Sequence, residues 1–396
     1  MILVVNPGSS SIKFKLYDIS NPSNPIAFVE GLAERIGVDG FLTLKINGIK
    51  KDYNDDMSNH EMAVQVILNR FQENNVIKNI DEIKGIGFRI VHGGSQVIKP
   101  VLIDNKIKKV IENNIKLAPL HNPGALTAIN AFEIKLPSSK LVGCFDTSFH
   151  QTMPTEKFLY PLPIDLYQKY SVRKYGFHGI SYEYITQKTA NILNKDINKV
   201  NLIICHLGNG ASVCCVKNGQ SFDTTMGLTP LAGLMMGTRS GDIDPSIHQY
   251  LAKQMNLNIE QITDLLNKNS GLLGVSQISS DMREITKAVK NSNKEAILTL
   301  NMWAQRVADY VVKYANYLEG QIDAIIFTAG VGENSADANS AILDKINILD
   351  IKYEVDKINL NYDDYIKISS YKSKYNIYKI RTNEELMICE ETLKFL

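Results

Sequence analysis

The sequence predicts an α/β protein built from two similar domains, and two observations lead to this prediction. Apolar strand patterns alternate with helical patterns along the chain, as they do in α/β folds. A strand–turn–strand pattern near the N-terminus also returns about two hundred residues later, a spacing of about half the chain. The length of 396 residues agrees with two domains, because single domains cluster at ~100–200 residues.

The two copies of this repeat match in residue type as well as in pattern. Asn6 aligns with His206, and Gly8 aligns with Gly208. Chance is the alternative, because strand–turn–strand patterns are common, but the matched glycines and hydroxyl residues favour duplication. The first copy has strands at residues 2–5 and 12–17 around a turn at 6–11, and the second has strands at 202–205 and 213–216 around a turn at 206–212.

The remaining elements follow from caps and from apolar spacing. Asp244 with Pro245, Ser181 and Asn383 are each expected to begin a helix. The predicted helices are 246–255, 181–193, 296–318 and 384–395, and further strands are predicted at 140–145 and 323–327. The predicted domains are residues 1–150 and 151–382, with the C-terminal helix (383–396) packing back on the first.

Composition excludes several functional classes. The chain is 44% hydrophobic and 21% charged with a net charge of +1, which argues against disorder and against recruitment of nucleic acid or membranes by net charge. The chain has five cysteines, an odd number, and they show no Cys-x-x-Cys spacing, so neither a disulfide framework nor a zinc site is expected. No signal-peptide pattern and no apolar run near ~18 residues occurs, so we expect a cytoplasmic protein.

Three glycine-rich turns, which begin at Gly8, Gly208 and Gly330, each directly follow an apolar strand. They are neither Walker A loops nor Rossmann fingerprints, because the Gly-Lys pair and the third glycine are missing. Backbone N–H groups exposed in such turns form concave sites for phosphate. One such turn is weak evidence, but three of them indicate a nucleotide held between two domains.

Arg89 and Arg239 lie among glycines and apolar residues rather than on charged helical faces. An arginine is usually a solvated surface charge, so this context is what singles out the two. A guanidinium matches the oxygens of carboxylates and phosphates, and two of them suit a charge-dense transition state.

Histidines and carboxylates supply further candidates. Five histidines (His92, His121, His150, His178 and His206) lie in turns or at strand ends, where some are expected to line a polar cleft, although pattern alone does not say which. No zinc-binding spacing links them. Asp146 ends a strand, where α/β sheets carry functional groups. Glu384 begins a helix, where it either complements the helix dipole or binds Mg²⁺.

Taken together, the sequence segments that contain these residues resemble the acetate kinase family over essentially the whole chain. The resemblance implies the duplicated fold of actin, sugar kinases and Hsp70, a homodimer, and ATP in the interdomain cleft. It also implies the reaction ATP + acetate ⇌ ADP + acetyl phosphate with Mg²⁺, for which Mn²⁺ can substitute. The matching segments are residues 6–13, 87–94, 119–123, 145–150, 175–179, 206–210, 236–242, 280–283, 328–334 and 382–386.

The resemblance also implies a role for individual residues. Asp146, His178 and Arg239 are expected to be catalytic, and Asn6 and Glu384 to bind the metal. Arg89 and His121 are expected to bind the substrate, with Val91, Leu120, Phe177 and Pro230 around its methyl group. The residues expected to bind the nucleotide are Lys13, His206, Leu207, Gly208, Asn209, Gly210, Asp281, Met282, Arg283, Gly330, Val331, Gly332, Glu333 and Asn334.

Three positions depart from the family pattern. Phe88 stands where histidine is usual, Pro7 replaces a small residue, and Gln277 replaces a glycine. Two alternative functions remain at this point. One is a kinase for propionate or butyrate, and the other is an ATP-driven interaction protein of the actin or Hsp70 kind, in which the arginine and histidine set has no evident role.

Overall fold

The computed structural model describes residues 1–396 and divides them into two compact units. The first unit comprises Met1–Gln151 and Asn383–Leu396, and the second comprises Thr152–Thr382. Each unit contains one sheet with helices packed around it, which confirms the predicted α/β class. No helix in the chain combines the length and the apolar character needed to cross a membrane.

The sheet of the first unit has eight strands in the order β5-β4-β3-β2-β1-β6-β8-β7. The central strand β1 pairs antiparallel with β2 and parallel with β6, and its apolar side chains are buried. The strands are β1 (Ile2–Pro7), β2 (Ser11–Asp18), β3 (Ile26–Glu34), β4 (Phe41–Ile46), β5 (Ile49–Tyr53), β6 (Gly85–Ile90), β7 (Val101–Leu102) and β8 (Lys140–Phe145).

The C-terminal helix, Glu384–Leu393, packs against β1 and β6 of the first unit. Asn383 caps it as predicted, since the Asn383 side chain accepts a hydrogen bond from the Leu386 N–H at 3.0 Å. Gly87 permits the close packing, because a Cβ there would lie 2.3 Å from Thr392 Oγ1. This packing brings Glu384 to the end of β6. The other α-helices of the unit are α1 (His60–Glu73), α2 (Asn105–Asn113) and α3 (Asn122–Lys135).

The sheet of the second unit has six strands in the order β11-β10-β9-β12-β14-β13. Its central strand β9 pairs antiparallel with β10 and parallel with β12, which repeats the pairing of β1 with β2 and β6. The predicted duplication is therefore confirmed in the topology. The strands are β9 (Leu202–Leu207), β10 (Ala211–Lys217), β11 (Gln220–Thr224), β12 (Ala324–Thr328), β13 (Tyr365–Lys367) and β14 (Asn376–Ile380).

Two predicted helix starts of the second unit are wrong. Ser181 does not begin a helix, because it lies inside α6, whose N-cap position is His178. Asp244 and Pro245 lie just before α7, whose N-cap position is Ser246. The helices are α4 (Thr155–Phe158), α5 (Ile164–Tyr170), α6 (Gly179–Ile192), α7 (Ile247–Met255), α8 (Ile259–Lys268), α9 (Gly271–Ser276), α10 (Met282–Lys290), α11 (Lys294–Tyr317), α12 (Ala329–Asn334), α13 (Ala336–Leu343) and α14 (Val355–Ile358).

Candidate active site

In the first unit, Arg89 and Asp146 meet at the carboxyl ends of the parallel strands β6 and β8. The pairing continues past β8, where the Asp146 N–H donates to the Ile90 carbonyl at 2.9 Å. Arg89 then forms a bidentate pair with the buried Asp146, with Nε–Oδ1 at 3.1 Å and Nη2–Oδ2 at 2.9 Å. A planar fork held in this way has a fixed orientation.

Glu384 adds a second carboxylate to this pair, with its Oε2 3.6 Å from Arg89 Nη1. The charges of Asp146 and Glu384 raise the pKa of Arg89 above its ordinary value, against the effect of burial. Burial raises the pKa of Glu384, while the charge of Arg89 opposes that rise. One arginine faces two carboxylates, so the cluster favours a further cation.

A small cavity of about 20 Å³ lies beside this cluster and is large enough for one water-sized guest. The amide oxygen of Asn6 and the carboxylate of Glu384 are ligand types that Mg²⁺ takes, so the residues present fit the ion. No group of three or more His, Cys, Asp or Glu side chains is arranged to hold a metal, so Mg²⁺ there would keep water and phosphate oxygens as ligands. The cavity is lined by Val4, Asn6, Lys13, Phe14, Arg89, Glu384, Glu385 and Ile388.

Lys13 lies on this cavity and is held by Glu385, a residue that the sequence analysis missed. Lys13 Nζ donates to Glu385 Oε1 at 2.8 Å, and Lys15 Nζ lies 3.8 Å from the other carboxylate oxygen. Burial opposes ionisation of Glu385, but the two lysines outweigh it and lower its pKa. The only signal for Glu385 in the sequence was its position next to Glu384. Adjacent residues of a helix do not share a face, so this position did not suggest that both side chains reach the same cavity.

The remaining substrate candidates of the first unit occupy different settings. Val91 is partly buried directly after β6, and Leu120 is 73% exposed in the turn before α3. His121 takes the N-cap position of α3. His92 is buried and supports the backbone, since its Nδ1 accepts from the Gly94 N–H at 3.0 Å, and burial lowers its pKa to about 4.

In the second unit, His178 and Arg239 converge over Gly210. A Cβ at Gly210 would lie 3.6 Å from Arg239 Nη1 and 3.7 Å from His178 Nε2, so the bare glycine leaves this space open. His178 adopts a left-handed backbone with φ 61° and stacks on His206 with ring centroids 4.1 Å apart. Its Nδ1 lies 2.8 Å from Ser212 Oγ.

Arg239 has no carboxylate partner, in contrast to Arg89. Its Nη1 donates to the Pro230 carbonyl at 3.1 Å and to Met236 Sδ at 3.7 Å. Burial lowers the pKa of Arg239, and no neighbouring charge compensates. An anion reaching this guanidinium would therefore satisfy a charge that the protein leaves unbalanced.

A larger cavity of about 790 Å³ in the second unit brings together eight of the residues expected to bind the nucleotide. They are Gly208, Asn209, Asp281, Met282, Arg283, Gly330, Val331 and Asn334. Trp303 and Asn359 also line it, and sequence reasoning missed both because they come from distant parts of the chain. Asp281 and Arg283 pair with each other at 2.5 Å.

Six expected nucleotide residues do not line this cavity: Lys13 and Gly210, whose positions are given above, and four others. Leu207 is fully buried at the end of β9, and His206 lies against His178. Gly332 is buried inside α12. The Glu333 carboxylate turns inward, where it accepts from the Ala329 and Thr382 N–H groups at 3.0 and 2.9 Å. It therefore holds the start of α12, the helix that the structure has where a glycine-rich turn at Gly330 was expected.

The two residues expected at the methyl pocket of this unit are Phe177 and Pro230. Phe177 is 2% exposed next to His178. Pro230 is partly buried, and its carbonyl holds Arg239. Pro230 therefore fixes the arginine through its backbone whatever its side chain contacts.

Comparisons with known proteins cover the whole chain. A sequence model of the acetokinase family matches residues 1–390. The chain is 54% identical to an acetate kinase of Mycoplasma mycoides subsp. mycoides SC, over 100% of both chains. It is 53% identical to one of Mesoplasma florum, over 99% of both.

Solved structures give the same result. An acetate kinase of Porphyromonas gingivalis superposes with a TM-score of 0.94 at 39% identity, covering 99% of this chain and 98% of that one. A propionate kinase of Francisella tularensis subsp. tularensis SCHU S4 superposes with a TM-score of 0.91 at 40% identity, covering 99% of both.

Proposed function

The chain belongs to the acetokinase family, and we propose on that basis that it is an acetate kinase, which reversibly transfers the γ-phosphoryl group of ATP to acetate. The products are ADP and acetyl phosphate. The observation that carries the proposal is the convergence of Arg239, whose charge has no carboxylate partner, and His178 beside Gly210. Such a site suits the anionic phosphoryl group of a transfer reaction.

The mechanism requires positioning and charge stabilisation rather than a general base. Acetate is already deprotonated at neutral pH, so its carboxylate attacks the phosphorus directly and in line with the departing ADP oxygen. Arg89 binds the acetate carboxylate, and Asp146 holds the guanidinium by its two hydrogen bonds. Asp146 therefore orients Arg89 and removes no proton.

Arg239 and His178 stabilise the charge on the phosphoryl oxygens during transfer, because Arg239 Nη1 and His178 Nε2 lie together beside Gly210. Lys13 binds phosphate oxygens, and the residues of the large cavity in the second unit bind the nucleotide. Asn6 and Glu384 would hold Mg²⁺, which when bound supplies charge neutralisation on the ATP phosphates.

The proposal includes two statements about the assembly and its location. The family resemblance supports a homodimer, and sedimentation equilibrium at micromolar concentration tests it. A mass of one chain would remove the dimer from the proposal. We place the enzyme in the cytoplasm, where ATP is available to it.

A propionate kinase is the second candidate, because a solved structure of that name superposes nearly as well as an acetate kinase does. Steady-state kinetics with acetate, propionate and butyrate distinguish the two. We expect the largest kcat/KM for acetate. A larger kcat/KM for propionate would make propionate kinase the first candidate instead.

Trapping of the acyl phosphate with hydroxylamine tests the activity itself. The purified chain, ATP, Mg²⁺ and acetate should yield acetohydroxamate, and a reaction without acetate should yield none. ATP hydrolysis that ignores acetate and gives no hydroxamate would instead support an ATP-driven interaction protein of the actin or Hsp70 kind.

A further inference from the structure

His178 is held by a chain of buried hydroxyl groups that the proposed mechanism does not use. Its Nδ1 lies 2.8 Å from Ser212 Oγ, and that oxygen lies 2.5 Å from Tyr182 Oη. Ser212 and Tyr182 are both fully buried. Ser212 lies on β10 and Tyr182 on α6, so rigid elements hold both groups.

The Ser212 hydroxyl has one proton and can accept two hydrogen bonds, so three arrangements exist. If Ser212 accepted from both Tyr182 and Nδ1, its own buried proton would have no acceptor, which leaves two directions for the chain. If Tyr182 donates to Ser212, Ser212 donates to Nδ1, and the histidine proton lies on Nε2. If the direction is reversed, Nδ1 carries the proton and Nε2 presents a lone pair. The direction of this chain therefore sets the tautomer of His178.

Two features favour the first direction. A phenol is a stronger donor than an aliphatic hydroxyl, and an aliphatic hydroxyl is the better acceptor. That direction also requires the phenol to keep its proton, and burial raises the pKa of Tyr182 well above its ordinary value.

Stacking limits the charge that the ring of His178 carries. Its centroid lies 4.1 Å from that of His206, with 19° between the planes, so two imidazolium rings here would repel. His206 has its own partner, Ser181, whose Oγ lies 2.9 Å from His206 Nδ1 and 2.7 Å from Thr382 Oγ1. Each ring thus has its Nδ1 next to a hydroxyl, and the stacking disfavours a charge on both rings at once.

The location of Nε2 gives the tautomer a consequence. This atom faces the space over Gly210 that Arg239 Nη1 also faces. An N–H there stabilises an anionic phosphoryl oxygen, whereas a lone pair there repels it. We propose that Tyr182 and Ser212 are positioning residues that fix His178 as the neutral tautomer with its proton on Nε2. The kinetic consequence rests on the proposed function, but the tautomer itself does not.

Nitrogen-15 NMR of histidine-labelled protein tests the tautomer directly. The seven histidines give few signals, and a His178→Asn variant identifies those of His178. In the unmodified chain we expect a protonated Nε2 and a bare Nδ1. Ser212→Ala and Tyr182→Phe should each give a mixture of tautomers, while Thr189→Val, which removes another buried hydroxyl of α6, should change nothing.

Kinetics test the consequence for phosphoryl transfer. Ser212→Ala should lower kcat ~10–100-fold with the KM values for ATP and acetate changed less than about twofold, as for other groups that orient a functional histidine. Tyr182→Phe should have a smaller effect in the same direction, and Thr189→Val should have none. Tyr182→Phe keeps the aromatic ring, so it serves as the test if Ser212→Ala fails to fold.

Three results would overturn the proposal: a proton on Nδ1 in the unmodified chain, an unchanged tautomer in both variants, or an unchanged kcat despite a changed tautomer. A chain that makes no acyl phosphate would instead refute the proposed function, and the NMR result would still decide the tautomer.

Discussion

Arg89 and Arg239 are two arginines with opposite electrostatic surroundings. Arg89 is paired with Asp146 through two hydrogen bonds and lies 3.6 Å from Glu384, so neighbouring charges raise its pKa. Arg239 contacts a carbonyl and a thioether, and burial lowers its pKa. The protein thus neutralises one guanidinium and leaves the other unbalanced.

This difference suits Arg89 to substrate binding and Arg239 to catalysis. A compensated arginine has a fixed orientation but little net charge to offer, which suits the carboxylate of acetate in the ground state. An arginine without a carboxylate partner interacts more favourably with an anion. This interaction strengthens as negative charge develops on the phosphoryl oxygens in the transition state. Breaking each arginine separately should therefore have different effects on rate and on stability.

The largest expected effect is on turnover, from Arg239→Ala. We expect kcat to fall ~10²–10³-fold, because the lost charge acts mainly in the transition state. The KM for ATP should change little. Arg239→Lys keeps the charge without the fork and should recover part of the rate. An unchanged kcat with a raised KM for acetate would assign Arg239 to ground-state binding and remove the contrast.

The second effect is on stability, from Arg89→Ala. Its removal leaves the buried Asp146 carboxylate without its bidentate partner and takes a cation from the partly buried Glu384, which should lower the free energy of unfolding by about 3 kcal/mol. Arg239→Ala leaves no such charge and should change it by less than about 1 kcal/mol. Urea unfolding of both variants measures the difference, and equal losses would contradict the account of the two environments.

The third effect is on the metal, from Glu384→Gln. Removal of this carboxylate takes away both a proposed Mg²⁺ ligand and a partner of Arg89. We expect the Mg²⁺ concentration for half-maximal rate to rise about tenfold or more. Glu391→Gln, on the same helix, is the control. If the Glu384 variant is fully active at low Mg²⁺, Glu384 does not belong to the metal site.

Patterns of residue type predicted the elements around both arginines but not their partners. The apolar runs of β1 and β9 and their glycine turns were readable because buried central strands are uniformly apolar. The pairing of Arg89 with Asp146 could not be predicted in this way, because it depends on which strands are neighbours in the sheet. Ser181 was misplaced because a local cap pattern competes with its tertiary bond to His206.

A fourth, smaller effect extends the comparison to specificity beside Arg89. Val91 lies two residues after Arg89, so in an extended segment both side chains point the same way. Val91→Ala should shift the propionate-to-acetate ratio of kcat/KM towards propionate by roughly tenfold, mostly through KM, since one methylene is worth ~0.8 kcal/mol plus relief of a clash. An unchanged ratio in an active variant would mean that Val91 does not line the acyl pocket.

The smallest effect concerns the backbone at the end of α9, the helix whose first residue, Gly271, packs against the Arg239 backbone. Gln277 ends α9 with φ 56°, the left-handed conformation in which the family pattern has glycine. Gln277→Gly should raise the free energy of unfolding by about 0.5–1 kcal/mol, because glycine adopts this conformation without strain. Gln277→Ala keeps the strain and should bring no gain. A destabilised glycine variant would mean that the Gln277 side chain stabilises the fold.

The affinity for a mimic of the transferring phosphoryl group tests the contrast between the arginines most directly. In the complex with Mg²⁺, ADP, aluminium fluoride and acetate, the charged aluminium fluoride takes the place of the transferring phosphoryl group. Arg239→Ala should weaken binding of this complex ~10²–10³-fold, in step with kcat, while its affinity for ADP stays unchanged. If Arg239→Ala binds the mimic as tightly as the unmodified chain does, Arg239 does not stabilise the transition state.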